Sequence, residues 1–218
     1  MKQLDSHIEF VFGGTFDPVH FGHIAIVQAL VKLAPQILIR LIPCALPALK
    51  SKPATSFEHR VNMLKLAAKD FENTLIDERE NDRNGASYTV DTLGSLRNEF
   101  DKRVFILVMG ADTAGKLTRW HDWQKLTSLC HIAVLNRAGN SLKEIETEIA
   151  KSGFMLHKKF LELTQKSSGL AFMLEMPEKQ QSSSQIRHSF RQYCENNLEL
   201  DSMLPQSVIK YVVKHRLY

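Results

Sequence analysis

The chain has 218 residues, of which 44% are hydrophobic and 24% are charged. This composition is that of a globular protein and excludes a disordered polyelectrolyte. The formal net charge of +4 is too small for a protein that coats nucleic acid. Three scattered cysteines, Cys44, Cys130 and Cys194, indicate a reducing compartment, and no apolar run is long enough to cross a membrane. We therefore expect a cytoplasmic protein that binds neither nucleic acid nor membranes.

Apolar runs alternate with helical patterns along the chain. Strands are predicted at residues 8–12, 36–42, 73–77, 103–109 and 130–135, and a further strand is expected at residues 169–177. Helices are predicted at 20–34, 88–100, 184–194 and 205–215, with capped helices also expected from about 55 to 70 and from 141 onward. This alternation predicts an α/β fold with a doubly wound parallel sheet. Ligands bind such sheets at the carboxyl ends of the strands.

The loop after the first strand carries the strongest indication of function. Gly13 and Gly14 end the strand and allow close approach of a ligand to the backbone. His20 and His23 follow at a predicted helix start and share one face, with Gly22 leaving room between them. Unpaired N–H groups at a helix start favour an anion, so this loop predicts a polyphosphate site. Zinc binding by the two histidines is the alternative, but no third ligand clusters with them.

Two predicted helix starts supply further donors for anions. Ser183 and Ser184 precede Arg187, and hydroxyls with a guanidinium at a helix start can hold phosphate oxygens. The N–H groups of residues 87–89 could hold a carboxylate without a cation. Ser87 could equally act as an ordinary helix cap, and the two interpretations are compatible.

The segment after the strand at 103–109 nearly matches a nucleotide-binding P-loop. Leu117 stands where that loop requires a hydroxyl for Mg²⁺, and Asp112 would place a carboxylate among the phosphates. Asp112 is better suited to accept hydrogen bonds from sugar hydroxyls. The indole of Trp120 could stack on a nucleotide ring, with burial in the core as the alternative.

Taken together, these motifs resemble those of the bacterial nicotinate-mononucleotide adenylyltransferase family, within the nucleotidyltransferase superfamily that carries an HxGH motif. GGTFDPVHFGH at residues 13–23 resembles the superfamily signature. Three further segments resemble segments of the family: RNGASYT at 83–89, GAD with the later Leu and Trp at 110–120, and SSSQIR at 182–187. The resemblance implies a Rossmann-like nucleotidyltransferase fold. It also implies a single domain over residues 1–218, with a helical C-terminal portion from about residue 183.

The resemblance further implies a reaction and the residues that perform it. AMP would pass from ATP to nicotinate mononucleotide, and Mg²⁺ would be bound mainly through the ATP phosphates, with no metal site on the protein. The implied catalytic residues are His20, His23 and Arg187. The implied ATP-binding residues are Gly13, Gly14, Thr15, Phe16, His20, Gly22, His23, Ser183, Ser184 and Arg187. The implied residues for nicotinate mononucleotide are Lys50, Ser87, Tyr88, Thr89, Gly110, Asp112, Trp120, His121 and Arg137.

One segment departs from the family pattern. Ala48 and Leu49 stand where the family often has Pro and His, while the following Lys50 keeps the positive charge. We expect a phosphate contact supplied by that His in the family to be absent here, or to move to Lys50 or Lys52.

Two kinds of alternative function remain open at this point. One is a different nucleotidyltransferase of the superfamily, acting on nicotinamide mononucleotide or phosphopantetheine. The other is a non-catalytic nucleotide sensor, against which the intact His20, His23 and Arg187 argue. The sequence leaves homo-oligomerisation open.

Overall fold

The computed structural model describes residues 5–48, 51–137, 142–176, 182–191 and 198–218. Its strands are β1 (Asp5–Gly14), β2 (Ile37–Pro43), β3 (Thr74–Ile76), β4 (Val104–Gly110), β5 (His131–Arg137), β6 (Met155–His157) and β7 (Leu170–Met176). Its helices are α1 (Phe21–Leu33), α2 (Phe57–Ala68), α3 (Thr89–Glu99), α4 (Ala111–Ala114), α5 (Leu126–Leu129), α6 (Leu142–Lys151), α7 (Ser183–Arg191), α8 (Leu198–Met203) and α9 (Gln206–Lys214). Short 3₁₀ helices lie at Leu117–Arg119, Trp123–Lys125 and Phe160–Gln165.

The strands form one parallel sheet in the order β3-β2-β1-β4-β5-β7-β6. From β1 the chain builds outward to β3, and it then returns to place β4 on the other side of β1. The direction of winding therefore reverses between β1 and β4, which is where ligands bind in such sheets. The predicted α/β fold with a doubly wound parallel sheet is confirmed.

The central strands are apolar because helices cover both faces of the sheet. Phe10 on β1 and Phe105 and Ile106 on β4 are fully buried. The C-terminal helices pack into the same core as β1 and α1, through side chains such as Ile186 and Val208. Among the described helices, none has an apolar stretch long enough to span a bilayer.

Several local predictions are wrong in detail. The cap of α2 is Ser56, whose hydroxyl accepts from the His59 N–H at 3.3 Å, whereas the Thr55 hydroxyl donates to Asp17. Ser87 is not the cap of α3, because Tyr88 occupies that position. The expected cap at residue 141 and the expected end of a helix at residue 194 lie outside the described residues.

Charged side chains are buried between the first three strands. Glu9 is 1% exposed and accepts hydrogen bonds from Arg40, at 2.8 Å, and from Arg103. Arg40 also donates to Asp77 at 2.6 Å. Burial by itself raises the pKa of Asp77, but hydrogen bonds from Arg79 and Arg40 outweigh it and hold that pKa below its ordinary value.

We expect Asp77→Asn to lower the free energy of unfolding by about 1–3 kcal/mol at pH 7, because a charged hydrogen-bond acceptor is lost. Since folding lowers the pKa of Asp77, its stabilisation is present above the ordinary carboxyl pKa of about 4 and is lost as pH falls through the folded value. Urea unfolding at several pH values should show the two proteins converging below about pH 4. Asp70→Asn, at an exposed position, is the control, and a difference that persists at low pH would contradict the assignment.

Candidate active site

A cleft of about 850 Å³ lies at the carboxyl ends of β1, β2 and β4, and its size suits a nucleotide-sized ligand. The following predicted site residues line it: Gly13, Gly14, Thr15, Phe16, His20, Gly22, His23, Ser87, Tyr88, Thr89, Gly110, Asp112, Trp120, His121, Ser183, Ser184 and Arg187. Lys50 lies outside the described residues. Arg137 ends β5, and its side chain also falls outside the description.

The loop between β1 and α1 is held through its carbonyl oxygens. The Cys44 N–H donates to Gly14 O at 2.8 Å. Arg60, on α2, donates to Thr15 O at 2.8 Å and to Cys44 O at 2.6 Å. Arg60 therefore joins the loop after β1 to the loop after β2, the two segments that form one wall of the cleft.

Arg60 was not predicted from the sequence to support this cleft. It is 1% exposed, its guanidinium lies 5.2 Å from the ring centre of Phe57, and burial lowers its pKa. The sequence offered one indication, a lone arginine beside Val61 and Leu64 on the apolar face of a predicted helix. A buried cation beneath this loop also adds positive potential next to a candidate anion site.

Asp17 connects this loop to distant parts of the chain. Its carboxylate accepts from the Ala54 N–H at 2.6 Å, the Thr55 hydroxyl at 2.9 Å and the Tyr218 hydroxyl at 2.7 Å. Its main-chain oxygen accepts from Arg187 at 2.7 Å. Asp17 is 3% exposed, so its carboxylate braces the turn from within the protein.

His20 and His23 cap α1 reciprocally. His20 is the N-cap residue, and its Nδ1 accepts from the Gly22 N–H at 3.1 Å. The His23 Nδ1 accepts from the His20 N–H at 3.3 Å, and the two ring centres are 3.8 Å apart. Because Nδ1 accepts in both rings, the ring proton is on Nε2. Both histidines line the cleft.

Phe16 contributes to the loop through its backbone and its buried ring. Its φ of 50° lies in the left-handed region, and its side chain is 1% exposed. The ring packs edge-on against Phe12 and His23, with ring centres 5.6 Å and 5.0 Å away. The predicted contact of Phe16 with ATP can therefore involve only its main chain.

The second wall of the cleft brings α3 next to the segment after β4. Tyr88 stacks on His121 with ring centres 4.1 Å apart. The Ser87 N–H donates to Leu46 O at 2.8 Å, so it is not one of the donors expected for a carboxylate. Tyr88 and Thr89 remain at the helix start for that role.

Asp112 and Trp120 complete this wall. Asp112 lies at the start of α4 and is exposed. Trp120 is half-buried and packs partly against the core while also lining the cleft. The indole therefore contacts the core and also reaches the cleft, where it could stack on a ligand ring.

Two further residues of this wall, Glu80 and Thr92, were not predicted. The Thr92 hydroxyl donates to Glu80 Oε1 at 2.6 Å and accepts from Arg83 at 2.6 Å. This network ties residues 80–83 to α3 beneath the predicted carboxylate site.

Cys44 lies nearby, and burial together with the neighbouring Glu80 raises the pKa of its thiol to about 11. That thiol stays protonated at neutral pH and is a poor nucleophile.

The fold and the cleft define a nucleotidyltransferase, and residues 11–189 match the family model described as cytidylyltransferase-like. A relative from Hahella chejuensis, named as a nicotinate-nucleotide adenylyltransferase, is 38% identical to this chain, and the match covers 95% of this chain and 94% of the relative. A relative of the same name from Pseudoalteromonas atlantica is 35% identical, over 95% of this chain and 93% of the relative. Another from Yersinia pestis is 32% identical, over 100% of this chain and 98% of the relative. The chain belongs to this family of nicotinate-nucleotide adenylyltransferases.

A solved structure shares the fold. The Plasmodium falciparum nicotinic acid mononucleotide adenylyltransferase complexed with NaAD superimposes with a TM-score of 0.74, covering 97% of each chain. It is 19% identical in sequence, so the likeness concerns the architecture. The Rossmann-like nucleotidyltransferase fold expected from the motifs is thereby confirmed.

We expect Gly14→Ala to destabilise the protein by about 1–3 kcal/mol through overpacking. A Cβ at Gly14 would lie 2.9 Å from Cζ of the buried Phe16 ring. Gly13→Ala is the matched control, since the nearest atom to its Cβ is Ile42 O at 4.0 Å. Urea unfolding measures both variants, and equal stability of the two would show that the Phe16 ring does not depend on Gly14.

Proposed function

We propose that the protein transfers AMP from ATP to nicotinate mononucleotide, forming nicotinate adenine dinucleotide and pyrophosphate. The observation that carries this proposal is that His20, His23 and Arg187 line one cleft, with Nδ1 of each imidazole engaged by a backbone N–H. The opposite wall offers a helix start and aromatic rings, which suit a nucleotide with a carboxylate-bearing ring. The names of the relatives support the same substrate pair.

The reaction requires no nucleophile from the protein. A 5′-phosphate oxygen of nicotinate mononucleotide would attack the α-phosphorus of ATP in line, and the bond from that phosphorus to the bridging oxygen would break. Negative charge grows on the departing pyrophosphate, and the Nε2–H groups of His20 and His23 would donate to it. Arg187, with the hydroxyls of Ser183 and Ser184, would hold the β- and γ-phosphates. The protonated thiol of Cys44 fits a mechanism without a covalent intermediate.

We propose that Mg²⁺ reaches the cleft on the ATP phosphates, where it would neutralise their charge. The donor chemistry fits this arrangement, because His20, His23 and Arg187 are nitrogen donors suited to phosphate oxygens. The Asp17 carboxylate is held by three protein donors. Within the described ranges, no group of three or more His, Cys, Asp or Glu side chains is arranged to hold a metal ion.

The mononucleotide would lie along the second wall. The N–H groups of Tyr88 and Thr89 at the start of α3 would hold the nicotinate carboxylate, and Trp120 would stack on the ring. Asp112 would accept hydrogen bonds from ribose hydroxyls. Lys50 and Arg137 are proposed as phosphate contacts on sequence grounds.

We also propose that the enzyme acts in the cytoplasm, as its free cysteines Cys44 and Cys130 suggest.

The proposal is tested by incubating the protein with ATP and Mg²⁺ and with one candidate acceptor at a time, while pyrophosphate is measured. Nicotinate mononucleotide should give the highest kcat/KM, with nicotinamide mononucleotide well below it because the amide carries no charge for the helix start. Preference for nicotinamide mononucleotide or for phosphopantetheine would replace this assignment with another adenylyltransferase. ATP binding without turnover on any acceptor would indicate a nucleotide sensor.

We expect His20→Asn to lower turnover by about 100-fold or more, by analogy with other donors that stabilise developing charge. Asparagine is also a good N-cap, so the variant keeps the cap of α1 while losing the Nε2–H donor. Thermal unfolding should therefore change little, which separates chemistry from folding. His23→Ala should show a comparable loss of turnover, and His7→Ala, at an exposed position on β1, serves as the control. Near-normal turnover in His20→Asn and His23→Ala would refute the roles given to these rings.

A further inference from the structure

A buried carboxylate lies beside the proposed triphosphate site. The carboxylate of Asp17, a cleft residue that is 3% exposed, would repel the phosphates of ATP if it were turned toward them. Its oxygens are instead engaged by three donors that lie outside the loop. Oδ1 accepts from the hydroxyls of Tyr218 and Thr55, and Oδ2 accepts from the Ala54 N–H.

The same carboxylate competes for the guanidinium that is proposed to bind ATP. Arg187 Nη1 lies 2.7 Å from the main-chain oxygen of Asp17 and 4.0 Å from its Oδ2. A small rotation of either side chain would turn the longer contact into a close ion pair. The Arg187 side chain is 26% exposed, so it is open to phosphate oxygens while Asp17 is held in place.

Tyr218 is well placed to control this competition. Its hydroxyl donates to Asp17 at 2.7 Å, and its ring packs 5.9 Å from that of Phe190 on α7, the helix that carries Arg187. Burial, and then the charge of Asp17, raises the pKa of Tyr218, so the hydroxyl remains a donor across the working pH range. Tyr218 itself is not among the described residues that line the cleft.

We propose that Tyr218 is a positioning residue, whose hydroxyl holds the Asp17 carboxylate against the protein and so leaves Arg187 available to the triphosphate of ATP. Without that hydroxyl, Oδ1 keeps Thr55 as a donor and carries more unscreened charge. Arg187 then pairs more closely with Asp17, and ATP must displace it. The inference rests on the proposed function, because it takes Arg187 to be a phosphate ligand.

The inference is tested with Tyr218→Phe, which removes one oxygen atom, and with Tyr211→Phe as the matched control. The Tyr211 hydroxyl is also hydrogen-bonded, to His59 at 2.9 Å and Asn62 at 3.1 Å on α2, and it does not line the cleft. We expect Tyr218→Phe to raise the KM for ATP by about 10-fold, the equivalent of one hydrogen bond to a charged group. The kcat and the KM for nicotinate mononucleotide should change little, and Tyr211→Phe should resemble the wild type in all three constants.

Two further measurements make the outcome decisive. Thr55→Val removes the other hydroxyl donor to Oδ1, and it should raise the KM for ATP in the same direction even if Tyr218→Phe fails to fold. Titration calorimetry with ATP reports binding without turnover, so it tests Tyr218 even if the wild type proves inactive on every acceptor, a result that would refute the proposed function alone. Unchanged ATP affinity in folded Tyr218→Phe and Thr55→Val would overturn the inference. Equal losses in Tyr218→Phe and Tyr211→Phe would also overturn it, because they would indicate general loosening.

Discussion

The loop between β1 and α1 must satisfy its carbonyl oxygens from within the protein if it is to receive an anion, since a carbonyl turned toward a phosphate repels it. The structure meets this constraint from three separate elements. Cys44, after β2, donates to Gly14 O, and Arg60 on α2 donates to Thr15 O. On α7, Arg187 donates to Asp17 O, and the Ser183 hydroxyl donates to Pro18 O at 3.1 Å. The shape of the candidate anion site therefore depends on the arrangement of helices around the first strand.

The same constraint explains why charged side chains are buried near the cleft. An unpaired buried charge is costly, yet Arg60 and Asp17 are almost inaccessible to solvent. Arg60 offsets this cost because its planar guanidinium bridges carbonyl groups of two loops at once. Asp17 offsets it because its carboxylate accepts from Ala54, Thr55 and Tyr218. Both residues fix the shape of a loop that has little apolar surface of its own.

The sequence was sufficient to predict the sheet and to bring together the residues of the β1–α1 loop and of α7 that line one cleft, because both depend on local patterns. β1 and β4 are apolar runs followed by chemistry-bearing loops, and the His20–His23 spacing is set within one helical turn. Arg60 and the contact between Asp17 and Tyr218 could not be predicted, since they join residues 45 and 201 positions apart. β6 was not predicted for another reason. Met155 and Leu156 are exposed at the sheet edge, so the strand lacks the alternation of apolar and polar residues by which a half-buried strand is recognised.

The two histidines illustrate how structure and chemistry share one motif. Nδ1 of each ring serves the helix cap, so the spacing that completes the cap also places the ring proton on Nε2, the atom proposed to donate to a phosphate oxygen. A ring that accepts at Nδ1 carries no net charge, so in the proposed mechanism His20 and His23 would act as dipolar donors. In the proposed mechanism the full positive charge required by a triphosphate would come from Arg187, from the Mg²⁺ proposed to accompany ATP and from the α1 and α7 N-termini. Where Arg187 binds the triphosphate as proposed, its freedom from the Asp17 carboxylate would be a condition for binding ATP.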